Sequence, residues 1–301
     1  MTSVAPFSPP HTILLATDMS ARCDRALDRA VQLARQWQAR LVTLTVVDAG
    51  TLSAESVRAT PLPSWATAPG DPMQRAFQRL RRDAFAEDVE ITPRVEEGKV
   101  GEVLARVAAE EDAGLIVTGI ARGESLGRTL LGSTVDWLAR HAAVPVLVVR
   151  DRVHGAYRSV VVASDFSPSS RLALDTSLAY FPGVESTLFH AYEVPFLGLR
   201  DTSHASAIAD ARTAALAEGT RLLDAAGLTP EQRARIQLVA EHGEPVRLTY
   251  EYTRDHGADL IALGTHGRSG LFNILIGSVA RLILETAAAD VLLVRDPRAV
   301  E

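Results

Sequence analysis

The sequence predicts an α/β protein built from two tandem doubly wound sheets, each of five parallel strands in the order 3-2-1-4-5. Short apolar runs of strand length alternate with segments of helical periodicity along the 301 residues. Such alternation is typical of parallel sheets with right-handed crossovers. The order of elements then occurs a second time, and a chain of this length accommodates two domains of roughly 150 residues each.

The first half contains five predicted strands with helical segments between them. Strand one leads into Asp18, and Ser20 is a suitable N-cap for the helix that follows. Residues 51–70, rich in Pro, Ser, Ala and Thr, are predicted as a long loop. The predicted strands are Thr12–Thr17, Leu41–Val47, Val89–Val95, Gly114–Gly119 and Val144–Arg150, and the later helices are Pro72–Phe85, Val100–Glu111 and Thr134–His141.

The second half follows the same plan. Its first strand ends in Asp165-Phe166-Ser167, and Pro168 occupies the first turn of the next helix, where its missing N–H costs nothing. The predicted strands are Ser159–Ser164, Glu185–Ala191, Arg235–Ala240, Leu260–Leu263 and Val291–Val294, and the later helices are Ala205–Ala226, Val246–His256 and Val279–Glu285.

The two halves correspond at the residue level. Gly98, Gly119 and the pair Gly132-Ser133 each lie 145 residues before an identical counterpart, Gly243, Gly264 and Gly277-Ser278. The Thr17-Asp18 pair lies 147 residues before Ser164-Asp165, so the loops differ by two residues. We infer an internal duplication with domains at 11–150 and 157–296, joined by a linker near Asp151–Ala156.

Composition narrows the classes of function. A formal net charge of -6, without a basic block, argues against a nucleic-acid partner. The only cysteine is Cys23, which excludes an intrachain disulfide and suits a reducing cytoplasm. Residues 1–10 lack the features of a signal peptide. No apolar run approaches the roughly 20 residues of a membrane helix, so we expect no membrane partner.

The stretch from Ala258 to Val279 has the layout of an anion-binding site. An apolar strand ends at Gly264, a glycine-rich loop follows, and Gly277-Ser278 begins a helix. The first-turn N–H groups of a helix lack intrahelical partners and its dipole favours an anion there. Glycines admit φ > 0 and close approach of a ligand. In the predicted strand order, Gly264 also meets Asp165 at the topological switch point, where ligands bind.

The spacing Gly264-x2-Gly267-x9-Gly277-Ser278 resembles the ATP-binding signature of the universal stress protein family. The segment Val161–Ser167 resembles the family's first strand and turn, and His190-Ala191 its His-Val pair. The resemblance implies a Rossmann-like, adenine nucleotide α-hydrolase-like fold with ATP as ligand, Mg²⁺ being left open. The implied nucleotide-binding residues are Ala163, Ser164, Asp165, Ala191, Leu263, Gly264, Gly267, Arg268, Gly277, Ser278 and Val279.

The corresponding loop of the first half departs from this signature. Arg122 stands where the second half has Gly267. If φ is positive there, a non-glycine residue costs about 1–3 kcal/mol or remodels the loop. Gly123 could compensate by a shift of one position, and the Arg122 side chain could itself pair with phosphate. We predict that the second domain holds the nucleotide and that the first has a degenerate loop.

Two classes of function remain, a regulatory nucleotide-binding protein of the stress response and an enzyme of the same fold. Strand one lacks the H-I-G-H and S-G-G-x-D-S motifs of related enzymes. His266, inside the loop, has no companion nucleophile and is interpreted as a lining residue. We therefore predict no catalytic residues and keep a slow ATPase or nucleotidyl-transferring enzyme as the alternative. The resemblance also predicts an internal pseudo-dimer through the two fifth strands, with a homodimer left open.

Overall fold

A computed structural model of the chain describes most of both predicted domains. The predicted loop over 51–70 and the predicted helix Pro72–Phe85 lie outside the described residues, apart from residue 78. The described ranges are 8–20, 23–47, 88–120, 131–194, 204–265 and 276–296, with the backbone of 124–125 and 128–129.

Described residues of the first half form strands and helices in alternation, and a two-stranded hairpin, β5 and β6, follows the fourth strand. In chain order the elements are β1 (Thr12–Ala16), α1 (Asp24–Trp37), β2 (Arg40–Val47), β3 (Ile91–Glu97), α2 (Val100–Glu110), β4 (Leu115–Gly119), β5 (Glu124–Ser125), β6 (Arg128–Thr129), α3 (Ser133–His141) and β7 (Val146–Val149).

Described residues of the second half also alternate between strands and helices, with two helices between the second and third strands. Its elements are β8 (Ser159–Ala163), α4 (Pro168–Tyr180), β9 (Glu185–Tyr192), α5 (His204–Asp224), α6 (Pro230–Ala234), β10 (Ile236–His242), α7 (Pro245–Asp255), β11 (Leu260–Gly264), α8 (Ser278–Thr286) and β12 (Asp290–Val294).

Each half contains a parallel sheet whose strand order is the predicted 3-2-1-4-5. In the first half β1 pairs with β2 and β4, β2 with β3, and β4 with β7. In the second half β8 pairs with β9 and β11, β9 with β10, and β11 with β12. The direction of winding therefore reverses between the first and fourth strands of each sheet, which leaves a crevice at their carboxyl ends. Pairing between the two fifth strands stays a prediction.

The central strands supply the core of each sheet. Residues Ile13–Leu15 in β1 and Leu260–Ala262 in β11 are fully buried. Continuous apolar runs are expected where helices cover both faces of a parallel sheet, because no position along the strand then faces water. The chain divides into two compact units that largely follow the two halves, with 10–121 and 132–156 in one unit and the second half from Tyr157 onward in the other.

Two local features differ from the sequence prediction. Helix α1 begins at Asp24 with Cys23 as its N-cap, so Ser20 is not the cap. Instead the Ser20 N–H donates to Asp18 Oδ1 (2.9 Å), which places Ser20 in the turn after β1. Helix α6 was not predicted, although Thr229 and Gln232 form a capping box at its start. Its five residues are too few for helical periodicity to be seen.

A cluster of ion pairs ties β3 to the end of α2 in the first half. Arg94 lies within 3.0 Å of carboxylate oxygens of Glu96, Glu110 and Glu111. Hydrogen bonds from Arg94 lower the pKa of Glu96, and those from Arg40 and then Arg94 lower the pKa of Glu111. The second half has Val239 at the position of Arg94, so this cluster belongs to the first half alone.

Arg94→Gln should destabilise the protein by about 1 kcal/mol at pH 7, a modest loss because solvent screens these partly exposed pairs. The lowered carboxyl pKa values mean that the stabilisation is present above the unfolded pKa of about 4.3 and is lost as pH falls through the folded values. Urea denaturation from pH 7 to pH 3 should show the two proteins converging. Lys99→Gln, which breaks the exposed pair with Glu102, is the control and should change nothing. A pH-independent deficit would contradict the electrostatic explanation.

Candidate functional site

A cavity of about 350 Å³ opens at the carboxyl ends of β8 and β11, at the switch point of the second sheet. Strand ends form its floor, and the N-terminal parts of α4, α7 and α8 form its walls. Its lining residues are Ala163, Ser164, Asp165, Ser170, Phe189, Ala191, Pro245, Thr249, Leu263, Gly264, Gly277, Ser278, Val279, Ala280 and Ile283.

The structure brings together every predicted site residue that it describes. Gly267 and Arg268, like His266, fall in the part of the chain between 265 and 276 that it does not describe. The predicted residues that line the cavity are Ala163, Ser164, Asp165, Ala191, Leu263, Gly264, Gly277, Ser278 and Val279.

The turn after β8 places Asp165 at the cavity. Phe166 adopts φ 62°, an uncommon conformation for a non-glycine residue. Two side-chain hydrogen bonds support this backbone, since the Phe166 N–H donates to Ser164 Oγ (3.0 Å) and the Ser167 N–H donates to Asp165 Oδ1 (3.1 Å). Strained backbone of this kind costs about 1–3 kcal/mol and persists only where surrounding contacts fix it. The Asp165 carboxylate is therefore held in one position by its own turn.

His190 supports the same turn from the neighbouring strand. Its Nδ1 lies 2.8 Å from the Ser164 carbonyl oxygen, and its ring lies 4.3 Å from the Phe166 ring, between centroids. The sequence marked this residue only through its resemblance to the His-Val pair. Its contacts indicate a positioning role, because it reaches the backbone that carries Ser164 and Asp165.

The start of α4 is bonded through buried serine hydroxyls. Ser167 is the N-cap of this helix and accepts from the Ser170 N–H (3.2 Å). The Ser170 hydroxyl lies 3.0 Å from that of Ser164, which links the helix to the end of β8. Pro168 occupies the first helical position, as predicted. The polar groups beneath the cavity thus satisfy one another.

Gly264 is required by packing rather than by an unusual backbone angle. A Cβ at this position would lie 2.7 Å from the carbonyl carbon of Ser169, closer than real Cβ atoms come. Because the obstruction is backbone on α4, it cannot rotate away. The absence of a side chain at Gly264 is what allows β11 to pass directly beside the start of α4.

Gly277, unlike Gly264, is not required by packing. It is extended, with φ -57°, and an added Cβ would find its nearest neighbour, the Thr265 carbonyl oxygen, at an ordinary 3.6 Å. Helix α8 begins at the next residue, and no described side chain caps it. Since the first-turn N–H groups of a helix attract anions, the open end of α8 beside the cavity favours a negatively charged ligand.

Several lining residues were not predicted. Ser170, Phe189, Ala280 and Ile283 adjoin predicted positions in sequence or helical register, so the signal was present in the spacing of the motif. Pro245 and Thr249 lie on α7, which carries no part of the motif. They reach the cavity only because α7 packs against β9 and α8.

The first half has a cavity at the corresponding place, with a volume of about 230 Å³. Its turn repeats the geometry of the second half, with Met19 at φ 58°. The Met19 N–H donates to Thr17 Oγ1 (3.0 Å), and the Ser20 N–H donates to Asp18 Oδ1 (2.9 Å). Gly132 has nearly the backbone angles of Gly277 and is likewise without a side-chain cap among the described residues. The duplication thus extends to the backbone of both sites.

The side chains around the two cavities are less alike. Val46 replaces Ala191 and Leu104 replaces Thr249, so bulkier aliphatic groups fill the first cavity. Thr45 replaces His190, and its buried hydroxyl has no hydrogen-bond partner among the residues that the structure describes. Asp18 is exposed, whereas Asp165 is half-buried. These substitutions reduce the volume of the first cavity, and its turn lacks the contacts that His190 makes with the turn after β8.

The described residues limit other kinds of site. Among them no three His, Cys, Asp or Glu residues are grouped as metal ligands would be. Within the same residues no helix is long and apolar enough to span a membrane.

A doubly wound sheet with a cavity at its switch point defines a class of α/β ligand-binding proteins. A sequence profile described as the universal stress protein family matches residues 10–150 and 156–295, so the chain belongs to that family, as a tandem member.

Known relatives share this organisation along nearly the whole chain. The chain is 27% identical to a universal stress protein of Mycolicibacterium smegmatis over 296 residues, covering 95% of this chain and 97% of the relative. It is 28% identical to universal stress protein Rv2005c of Mycobacterium tuberculosis over 303 residues, with the same coverage. The crystal structure of PA1789, a functionally unknown protein from Pseudomonas aeruginosa, matches with a TM-score of 0.68 and 19% identity, over 96% of this chain and 94% of that one. The last similarity concerns the fold.

Gly264→Ala and Gly277→Ser should separate the roles of the two glycines. The first forces a methyl group against the α4 backbone and should lower the free energy of unfolding by about 1–3 kcal/mol. The second places a good N-cap residue where a Cβ fits, so stability should be unchanged or slightly higher. Guanidinium denaturation of both variants measures the difference. Equal losses would show that Gly277 is also needed for packing.

Proposed function

We propose that this protein binds ATP in the cavity of its second domain and acts as a regulatory nucleotide-binding protein of the stress response. The observation that carries the proposal is the juxtaposition, at one cavity, of the fixed Asp165 turn and the start of α8, which no described side chain caps. A volume of about 350 Å³ lies within the usual range for small-molecule sites. Family membership supports the same ligand class.

The cavity has a polar and an apolar side, which suggests an orientation for the nucleotide. We place the phosphates at the first turn of α8, where helix N–H groups favour anions. The base then fits against the apolar side chains, which are those of Phe189, Ala191, Pro245, Leu263 and Ile283. The family resemblance assigns Asp165 to the nucleoside part of the ligand. Gly267 and Arg268 are assigned to the phosphate loop by sequence alone.

Features besides the loop sequence favour the second domain over the first as the nucleotide-binding domain. Its cavity is larger, about 350 Å³ against about 230 Å³, and it has Ala191 and Thr249 where the first has Val46 and Leu104. A planar base requires the space that those larger side chains occupy. Arg122, in the place of Gly267, adds to this difference, although neither residue is within the described ranges.

Binding rather than turnover fits the lining of the cavity best. Asp165 is the only carboxylate among its described lining residues, and its Oδ1 already accepts a hydrogen bond from its own turn. The described lining contains no histidine or lysine that could act as a general base or acid. Mg²⁺ would therefore be held mainly through the phosphates of the ligand, as is common for this ion.

Isothermal titration of the full-length protein with ATP should give one site per chain. Gly277→Ser should weaken binding about tenfold, because the serine hydroxyl takes a first-turn N–H that the phosphates need. Gly132→Ser makes the same change in the first domain and should leave the affinity unchanged. Two sites per chain, or equal effects of both substitutions, would contradict the assignment to the second domain. Steady multiple turnover of ATP by the purified wild type would favour the enzyme alternative instead.

A second substitution uses the repeat as its own control. Gly267→Arg copies into the second domain the residue of the first and should obstruct the phosphate path. We expect ATP to bind about ten- to a hundredfold more weakly. Adenosine, without phosphates, should lose less, and the two ligands can be compared by titration. An unchanged ATP affinity, or an equal loss for adenosine, would remove Gly267 from the phosphate loop.

A further inference from the structure

The Thr249 hydroxyl is a buried polar group of the cavity that the fold itself does not use. Thr249 lines the cavity on the second turn of α7 and is 2% exposed. Its hydroxyl makes no hydrogen bond with any residue that the structure describes. The hydroxyl oxygen itself is not fully enclosed, so a polar group that enters the cavity can bond to it.

Four other helical threonines of the second domain donate their hydroxyl hydrogen to the carbonyl oxygen four residues earlier, at 2.7 to 3.0 Å: Thr213, Thr220, Thr253 and Thr286. This local bond is the usual way in which a threonine within a helix is satisfied. Thr176 on α4 is the exception, because its buried hydroxyl has no partner among the described residues, but it does not line the cavity. For Thr249 the corresponding carbonyl is that of Pro245, and the bond is not formed. Unlike Thr176, Thr249 lines the cavity, so a group that enters there can reach its side chain.

The surroundings of Thr249 indicate which part of a ligand it meets. Pro245 precedes it by one turn on the same face of α7, and this helix packs against β9, the strand of Phe189 and Ala191. These are the apolar side chains against which a flat base packs. A hydroxyl among them can donate or accept, so it can pair with a ring nitrogen, an amino group or a carbonyl of a base.

We propose that the Thr249 hydroxyl hydrogen-bonds the nucleobase of the ligand and is a determinant of base affinity in the second domain. This inference rests on the proposed function, because it assumes a nucleotide in this cavity. The first domain has Leu104, fully buried, at the corresponding position. Leucine offers no hydrogen bond and takes up space, which accounts for part of the difference between the two cavities.

Isosteric substitution in the full-length protein tests the contact. Thr249→Val removes the hydroxyl while keeping the shape, and one lost hydrogen bond should weaken binding about three- to tenfold. The same factor is expected for ATP and for adenosine, because both carry the base. Tripolyphosphate, which has none, should compete with ATP in the variant with an unchanged inhibition constant. Thr249→Ser, which restores the hydroxyl, should bind both ATP and adenosine within about twofold of the wild type.

Two controls separate a base contact from a structural role. Thr249→Val should unfold at nearly the same temperature as the wild type, because the hydroxyl makes no hydrogen bond within the described part of the fold. Thr253→Val, one turn along α7 and away from the cavity lining, should leave ATP affinity unchanged.

Each contrary result has a distinct meaning. If the wild type binds no ATP, the proposed function fails and this inference with it. If the wild type binds ATP and Thr249→Val binds it equally well, the function stands and the base contact is wrong. Equal weakening by Thr249→Val and Thr249→Ser would show that packing is responsible. A loss for ATP and tripolyphosphate but not for adenosine would assign Thr249 to the phosphates, which also overturns the proposal.

Discussion

The passage of β11 beside the first turn of α4, at Gly264, is the contact on which the site depends. A side chain at Gly264 would meet the backbone of Ser169, so the approach exists only because the residue is glycine. It brings the end of β11 next to the end of β8, where the Asp165 turn begins. The same strand leads towards the glycine loop and α8. Two polar features far apart in sequence thus come to one cavity through a single close packing.

Some polar groups around the cavity are hydrogen-bonded within the fold, and others are not. Ser164, Ser167 and Ser170 bond to one another and to the backbone, which fixes the turn and the start of α4. The first turn of α8 and the Thr249 hydroxyl, in contrast, have no such partners among the described residues. A fold tolerates unsatisfied buried groups mainly where a ligand or water completes them. The first turn of α8 and the Thr249 hydroxyl are therefore the groups at this cavity that a ligand could complete.

The duplication shows that backbone and side chains have diverged to different extents. Met19 and Phe166 share a positive φ, and the bonds that hold their turns have the same donors and acceptors. Around this common frame the first domain has Val46, Leu104 and Thr45 in place of Ala191, Thr249 and His190. Tandem copies can thus keep the architecture of a cavity, which the sheet imposes, while the side chains that line it diverge.

The α/β class, the duplication and nearly all element positions were predictable from the sequence, because apolar periodicity and strand–helix alternation are local patterns. It also identified the described motif residues of the cavity, since Asp165, Gly264 and Gly277 follow directly from strand ends and a helix start. It misplaced the cap of α1 at Ser20, because the Asp18 turn competes for that residue. The contribution of Thr249 from α7 and the packing reason for Gly264 became clear only from the folded arrangement of the elements. Both depend on contacts between elements distant in the chain, which no local pattern records.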